Sequence, residues 1–272
     1  MIERDRSMEA VCALVLVVLA VSGCSKEKSE ASEAPAASSA SPSVSPPSAP
    51  SPASVKYVID PMGKTSIDMP APAEHIKADS SASSGELRVD LMNLANSRGE
   101  VRVDLTTLRT RTFGEAAKDG KQTEHAITWL EVGDKVSPEV RERNRWVSFT
   151  IRSIDGLSSP DLTKVVAGKI ADDEVRTVTL TAHGDFLLHG HKVDKAVALE
   201  ARFHYPAGAS PDSKPARLDL VTKVPLHVVL AEHDVKPRDN LGAIAQGAFG
   251  LLGTKVAETA DVTLDLHARL AP

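Results

Sequence analysis

Along most of the chain, polar and apolar positions alternate with a period of two. Glu86 to Leu91 sets Leu87, Val89 and Leu91 against Glu86, Arg88 and Asp90, and Glu100 to Leu105 repeats the pattern with Val101, Val103 and Leu105. Arg145 to Ile151 places Val147, Phe149 and Ile151 opposite Trp146, Ser148 and Thr150. The longest run, Lys195 to Tyr205, turns Val197, Leu199, Ala201, Phe203 and Tyr205 one way and Glu200, Arg202 and His204 the other. Val262, Leu264, Leu266 and Leu270 continue the theme. Strict alternation with one polar face predicts half-buried antiparallel strands, as distinct from the unbroken apolar runs of a parallel sheet. Further strands are expected at Tyr57–Asp60, Val175–Ala182, Asp185–His189, Arg217–Thr222 and Leu226–Leu230. About ten strands with few helices predict an all-β sandwich or barrel.

Three stretches break the period. Phe113 to Val132 mixes helix formers with apolar residues at helical spacing, such as Ile127 and Leu130. Asn240 to Gly253 is small, apolar and rich in glycine, which argues against a free-standing helix and for packing over a cavity mouth or an apolar surface. The third is the start of the chain. Ala10 to Val21 is a twelve-residue apolar run, too short to span a bilayer but the right length for the core of an export signal. Val21-Ser22-Gly23-Cys24 follows it directly and resembles the bacterial lipobox. That resemblance implies cleavage before Cys24 and acylation of its thiol. Ser29 to Val55 then holds ten Ser, seven Ala and six Pro among 27 residues. Such a stretch cannot bury enough apolar surface to fold. It reads as a tether reaching on the order of 80 Å if extended, or roughly 30 Å as a coil. The expected division is therefore signal peptide 1–23, tether 24–55 and folded domain 56–272.

Composition narrows the classes. Of 272 residues, 25% are charged, and the formal net charge of −5 provides no basic footprint for nucleic acid. The two cysteines, Cys12 and Cys24, both fall in the export segment, so the folded domain has neither a disulfide framework nor a thiolate metal cluster. Aromatics are 3% of the chain, so any core or cavity must be lined mainly by aliphatic side chains.

Several blocks, taken in order, resemble the YceI-like family of polyisoprenoid-binding, lipocalin-like proteins. They are Lys56-Tyr57-Val58-Ile59-Asp60, Gly85 to Asp90, Val101 to Leu105, the helical His125 to Leu130, Trp146 to Thr150, the hairpin block Thr181 to Lys192, and Ala260 to Leu266. The chain departs from the family pattern at Lys64–Met69, which lacks a phenylalanine, at the longer, charged Ser137–Arg145, and at the proline-rich Ser210–Pro215. The resemblance implies an antiparallel lipocalin-like β-barrel of about eight or more strands, with one or two short helices. It also implies an apolar cavity for an isoprenoid-type or other long-chain lipid, no catalytic constellation and no cofactor beyond such a lipid. Its ligand-lining candidates are Val147, Phe149, Phe186, Leu188, Leu199 and Phe203. Together with the lipid anchor on Cys24, the resemblance points to an envelope lipoprotein, and Ser25 in place of aspartate after that cysteine favours the outer membrane, facing the periplasm, by the sorting rule of enteric bacteria.

Two alternatives stay open. A solid barrel would leave a structural module that binds an envelope protein partner. His183, His189 and His191, with Asp185 nearby, suggest metal or enzyme chemistry, although spacing alone does not assemble a zinc shell. No phosphate loop, nucleophile elbow or His-Glu-x-x-His motif occurs. Arg141, Arg143 and Arg145 form a basic cluster that would suit an anionic headgroup or, more simply, a solvated loop.

Overall fold

The computed structural model describes residues 54–71, 75–209, 213–236 and 257–272. Cys24, the signal, nearly all of the tether, the glycine-rich segment at 240–253 and residues 210–212 of the proline-rich turn lie outside the described residues. In chain order the elements are β1 (Ser54–Ile59), β2 (Lys64–Pro70), β3 (His75–Ser80), β4 (Ser83–Asp90), β5 (Arg98–Asp104), β6 (Arg109–Thr110), α1 (Ala116–Trp129), α2 (Pro138–Asn144), β7 (Trp146–Asp155), β8 (Gly168–Ile170), β9 (Asp173–Leu188), β10 (His191–Tyr205), β11 (Arg217–Thr222), β12 (Leu226–Val229) and β13 (Thr259–Leu270).

All strand pairings are antiparallel. Eight strands close a ring in the order β1-β4-β5-β7-β9-β10-β11-β13, sealed where β13 returns to β1 at Tyr57↔Leu270 and Ile59↔Ala268. Of the sandwich or barrel that alternation left open, the structure is the barrel that the family resemblance implied. β13 is its spine. Residues 265–270 join β11 on one edge and β1 on the other, whereas residues 259–265 join β12 and β2. Beyond the ring, β2, β3 and β6 form an arm leading away from β13.

Two sequence expectations are corrected. Val175–Ala182 and Asp185–His189 are not separate strands but one strand, β9, because His183-Gly184 is strand interior and not a turn. Gly184 is needed for close approach: a Cβ there would lie 2.1 Å from the carbonyl oxygen of Thr150 on β7, whose register shifts between Ile151 and Ser153. The reversal comes instead at His189-Gly190, where φ angles of 52° and 78° fit the two-residue turn that matches strand twist. The second correction concerns the edges. β2 and β3 were not anticipated, and β1 begins two residues inside the expected tether, with Ser54 and Val55 paired to Asp90 and Val89.

The barrel interior divides into two apolar clusters. In the first, Tyr57, Val178, Ala201, Phe203, Leu218 and Ala268 pack with almost no exposure. Two short 3-10 turns plug this end with Leu94 and Leu162, and their backbones bond each other's loops (Leu94 N to Pro160 O, 2.8 Å; Leu162 N to Leu91 O, 2.9 Å). The buried Tyr57 hydroxyl donates to the carbonyl of Pro215 at 2.9 Å, so its polar atom is satisfied. Burial, with a smaller contribution from Tyr205, holds the phenol well above its ordinary pKa. The second cluster contains Phe186, Leu188, Val197, Leu199, Val228 and Ala260, and its centre is not filled.

Candidate functional site

The unfilled half holds a cavity of about 800 Å³. That is in the range of small-molecule and cofactor pockets, and a solid core has voids little larger than a water molecule. Its walls come from the alternating faces of the strands: Val101 and Val103 on β5, Val147, Phe149 and Ile151 on β7, Phe186 and Leu188 on β9, Val197 and Leu199 on β10, and Val262 and Leu264 on β13. The arm adds Ile67 and Met69 from β2 and Ile76 from β3. Period-two alternation thus delivers a continuous hydrocarbon wall. Deep polar groups are few. Thr65 presents a buried hydroxyl with no hydrogen-bond partner among the described residues, and Thr110 is tied up by α1.

The remaining polar lining is gathered on one side. Lys118, Lys121, Gln122 and His125 come from α1, Lys236 follows the 3-10 turn Leu230–His233, and Glu258 precedes β13. α1 lies along this rim with only Thr123 buried. Hydrogen bonds and the packing of Ile127 hold it: Thr110 N donates to Thr123 Oγ1 at 2.9 Å, and Thr110 Oγ1 donates to the Asp119 carbonyl at 2.7 Å. Below the helix, Asp104 at the end of β5 takes two bonds from Arg145, at 2.9 Å from Nε and 2.7 Å from Nη2. Burial pushes the Asp104 carboxyl up. The Arg145 guanidinium and the Thr106 hydroxyl and amide more than offset this, leaving the carboxyl below its ordinary range.

Of the six lining candidates from the sequence, Val147, Phe149, Phe186, Leu188 and Leu199 face this cavity. Phe203 does not. It is 2% exposed within the solid cluster, four residues along β10 and beyond the floor of the cavity. Alternation places Leu199 and Phe203 on one face but does not fix their depth along the barrel. The arginine cluster is not at the cavity either. Arg141 pairs with Asp134 at 2.6 Å, and Arg145 stacks its guanidinium 4.8 Å from the Trp146 ring while holding Asp104.

Five of the nine histidines form two groups, and His183, named with His189 and His191 in the sequence, pairs apart from both with Asp155 at 2.9 Å. On the outside of β10, β11 and β13, the buried His204 meets Asp219 at 2.8 Å, and His267 meets the other Asp219 oxygen at 2.8 Å, a self-satisfied network. At the β9–β10 turn, His189 is buried, with Nε2 2.9 Å from Glu131 and Nδ1 3.2 Å from the carbonyl oxygen of His233. His233, fully buried, donates from Nδ1 to the carbonyl of His191 at 3.1 Å and stands edge-on to Phe186 of the cavity wall. Its burial was not foreseen, because it sits in a short polar turn with no periodic signal. Among the described residues no helix is long and apolar enough to cross a membrane.

A closed antiparallel barrel enclosing an apolar cavity defines a lipocalin-like architecture. The fold is similar to a polyisoprenoid binding domain from Saccharophagus degradans implicated in plant cell wall breakdown, with 13% identity, a TM-score of 0.46, and coverage of 80% of this chain and 99% of that one. It is also similar to BcnA from Burkholderia cenocepacia, with 11% identity, a TM-score of 0.41, and coverage of 77% and 98%. No sequence-family model matches the chain, and no curated protein does.

Proposed function

We propose that this domain binds a long-chain apolar lipid, of isoprenoid or similar type, and holds or carries it in the bacterial envelope without transforming it. The observation that supports this reading is the cavity itself: about 800 Å³ walled by aliphatic and aromatic side chains, with polar lining confined almost entirely to the α1 side. A hydrocarbon chain in the pocket removes apolar surface from water at roughly 25 cal/mol per Å² buried, and the polar rim leaves a headgroup wet. In this reading Cys24 carries the lipid anchor, the serine- and proline-rich tether spaces the barrel from the outer membrane, and the barrel faces the periplasm. The solid-barrel alternative has no comparable support, since it requires a filled core.

Mass spectrometry of organic extracts from the purified full chain tests the proposal. A stoichiometric prenyl or acyl lipid is expected, and Leu199→Trp, which fills the cavity, should displace it. A wild-type protein that carries no lipid and takes none from mixed lipid vesicles would overturn the reading. The anchor is tested separately: Cys24→Ala should move the protein from the membrane to the soluble fraction, and retention on the membrane would refute acylation there.

A further inference from the structure

The two-residue turn between β9 and β10 is built from a histidine where asparagine or aspartate is the usual non-glycine choice for positive φ. It brings His189 and His191 side by side, with ring centroids 6.4 Å apart and planes within 14°. The turn after Val229 ends at Asp234, also at positive φ (52°), and points the chain back at the same place. One ligand atom each from His189, His191 and Asp234 lies within 4.8 Å of the others. We propose that these three side chains form a divalent-metal site of zinc type on the barrel rim, with an open fourth position for water.

The surroundings of His189 favour a cation. Its two ring nitrogens each face an acceptor, the Glu131 carboxylate at 2.9 Å and the His233 carbonyl at 3.2 Å. A neutral imidazole has a single N–H. With that N–H donated from Nε2 to Glu131, Nδ1 is the nitrogen that a metal ion would take, in exchange for its 3.2 Å contact with the His233 carbonyl. Carboxylate, histidine and metal then form the arrangement in which an outer carboxylate orients the ring and raises its basicity. Glu131 thus acts as a positioning residue; it too has positive φ (54°), at the exit from α1. Asp234 at present accepts from Lys236 Nζ at 2.5 Å, and both are exposed enough for the lysine to swing into water when a metal takes its place. The ion would tie the β9–β10 turn to the strap after β12, beside the cavity wall at Leu188 and Val235.

The site is testable on the purified, untagged full chain by calorimetric titration with Zn²⁺ and by Co²⁺ absorption. One equivalent is expected, with an intense cobalt visible band characteristic of four-coordination. His191 is exposed, so His191→Ala should fold normally and lower zinc affinity at least about 100-fold, with Asp234→Asn acting in the same direction. Glu131→Gln should weaken binding by about 10–100-fold. His227→Ala, at a surface pair with Asp261 elsewhere, should change nothing. Absence of zinc binding, or binding that His191→Ala and Asp234→Asn leave intact, would overturn the proposal. Lipid content of the protein is an independent readout, so failure here does not depend on the cavity reading.

Discussion

One barrel has two unlike ends, built from the same strands. β10 contributes Ala201, Phe203 and Tyr205 to the solid end and Val197 and Leu199 to the hollow one, and β9 is divided in the same way between Val178 and Phe186. What differs is what closes each end. At the solid end the ring is complete, and the 3-10 turns carrying Leu94 and Leu162 fill its axis. At the hollow end β13 leaves β1 and β11 for β2 and β12, and among the described residues α1 lines the cavity, held by threonine hydrogen bonds and by packing of Ile127. Side-chain chemistry is nearly identical in the two halves. Among the described residues, the half that receives the Leu94 and Leu162 plug is core, and the half without one is cavity.

The largest test of this contrast is a pair of truncations read by urea denaturation. Phe203→Ala should cost about 3–5 kcal/mol, the range for aromatic truncation in a filled core. Phe149→Ala should cost less than about 2 kcal/mol, because its ring already borders a void and forfeits fewer contacts. Equal losses would mean that the two halves are packed alike.

A smaller effect separates the ends by pH. At the rim of the hollow end, Asp104 is held below the ordinary carboxylate range, so its stabilisation is fully present above the unfolded pKa of about 3.9 and is lost as pH falls through the folded value. Asp104→Asn should cost about 1.5–3 kcal/mol near neutrality, as expected for hydrogen bonds to a charged group. It should also flatten melting temperature against pH between about 5 and 2. An unchanged acid limb would show that the Arg145 clasp carries no such weight. The smallest expected effect is at the solid end, where Tyr57→Phe should cost about 1 kcal/mol with no acid dependence, because the lost bond is between neutral groups.

Much of this architecture is legible in the sequence, and the exceptions share a physical cause. Alternation reports which face a residue takes, so the antiparallel strands and five cavity-facing side chains follow from it, the helix within 113–132 follows from helical spacing, and the family resemblance chose the barrel over a sandwich. Alternation does not report position along the barrel axis, and so Phe203 was grouped with Leu199 although the plugs formed by Leu94 and Leu162 put them in different environments. Those plugs belong to short 3-10 turns, which have no period to detect. Gly184 was ambiguous for a different reason. A glycine that admits a neighbouring backbone and a glycine that makes a turn look the same in one chain. β2 has no clear signal because Thr65, Ile67 and Met69 alternate over too few residues, with Pro70 and Pro72 at its end.

The role of β13 bears on how the chain reaches this state. The strand joins partners from both ends of the domain, and the ring closes only when Leu270 meets Tyr57, more than two hundred positions earlier. Contacts so distant in sequence must overcome loop-closure entropy before they return any stabilisation, which places such folds among the slow ones. Until β13 docks, the other described strands form an open sheet, so its pairing with β1 is the step that completes the barrel.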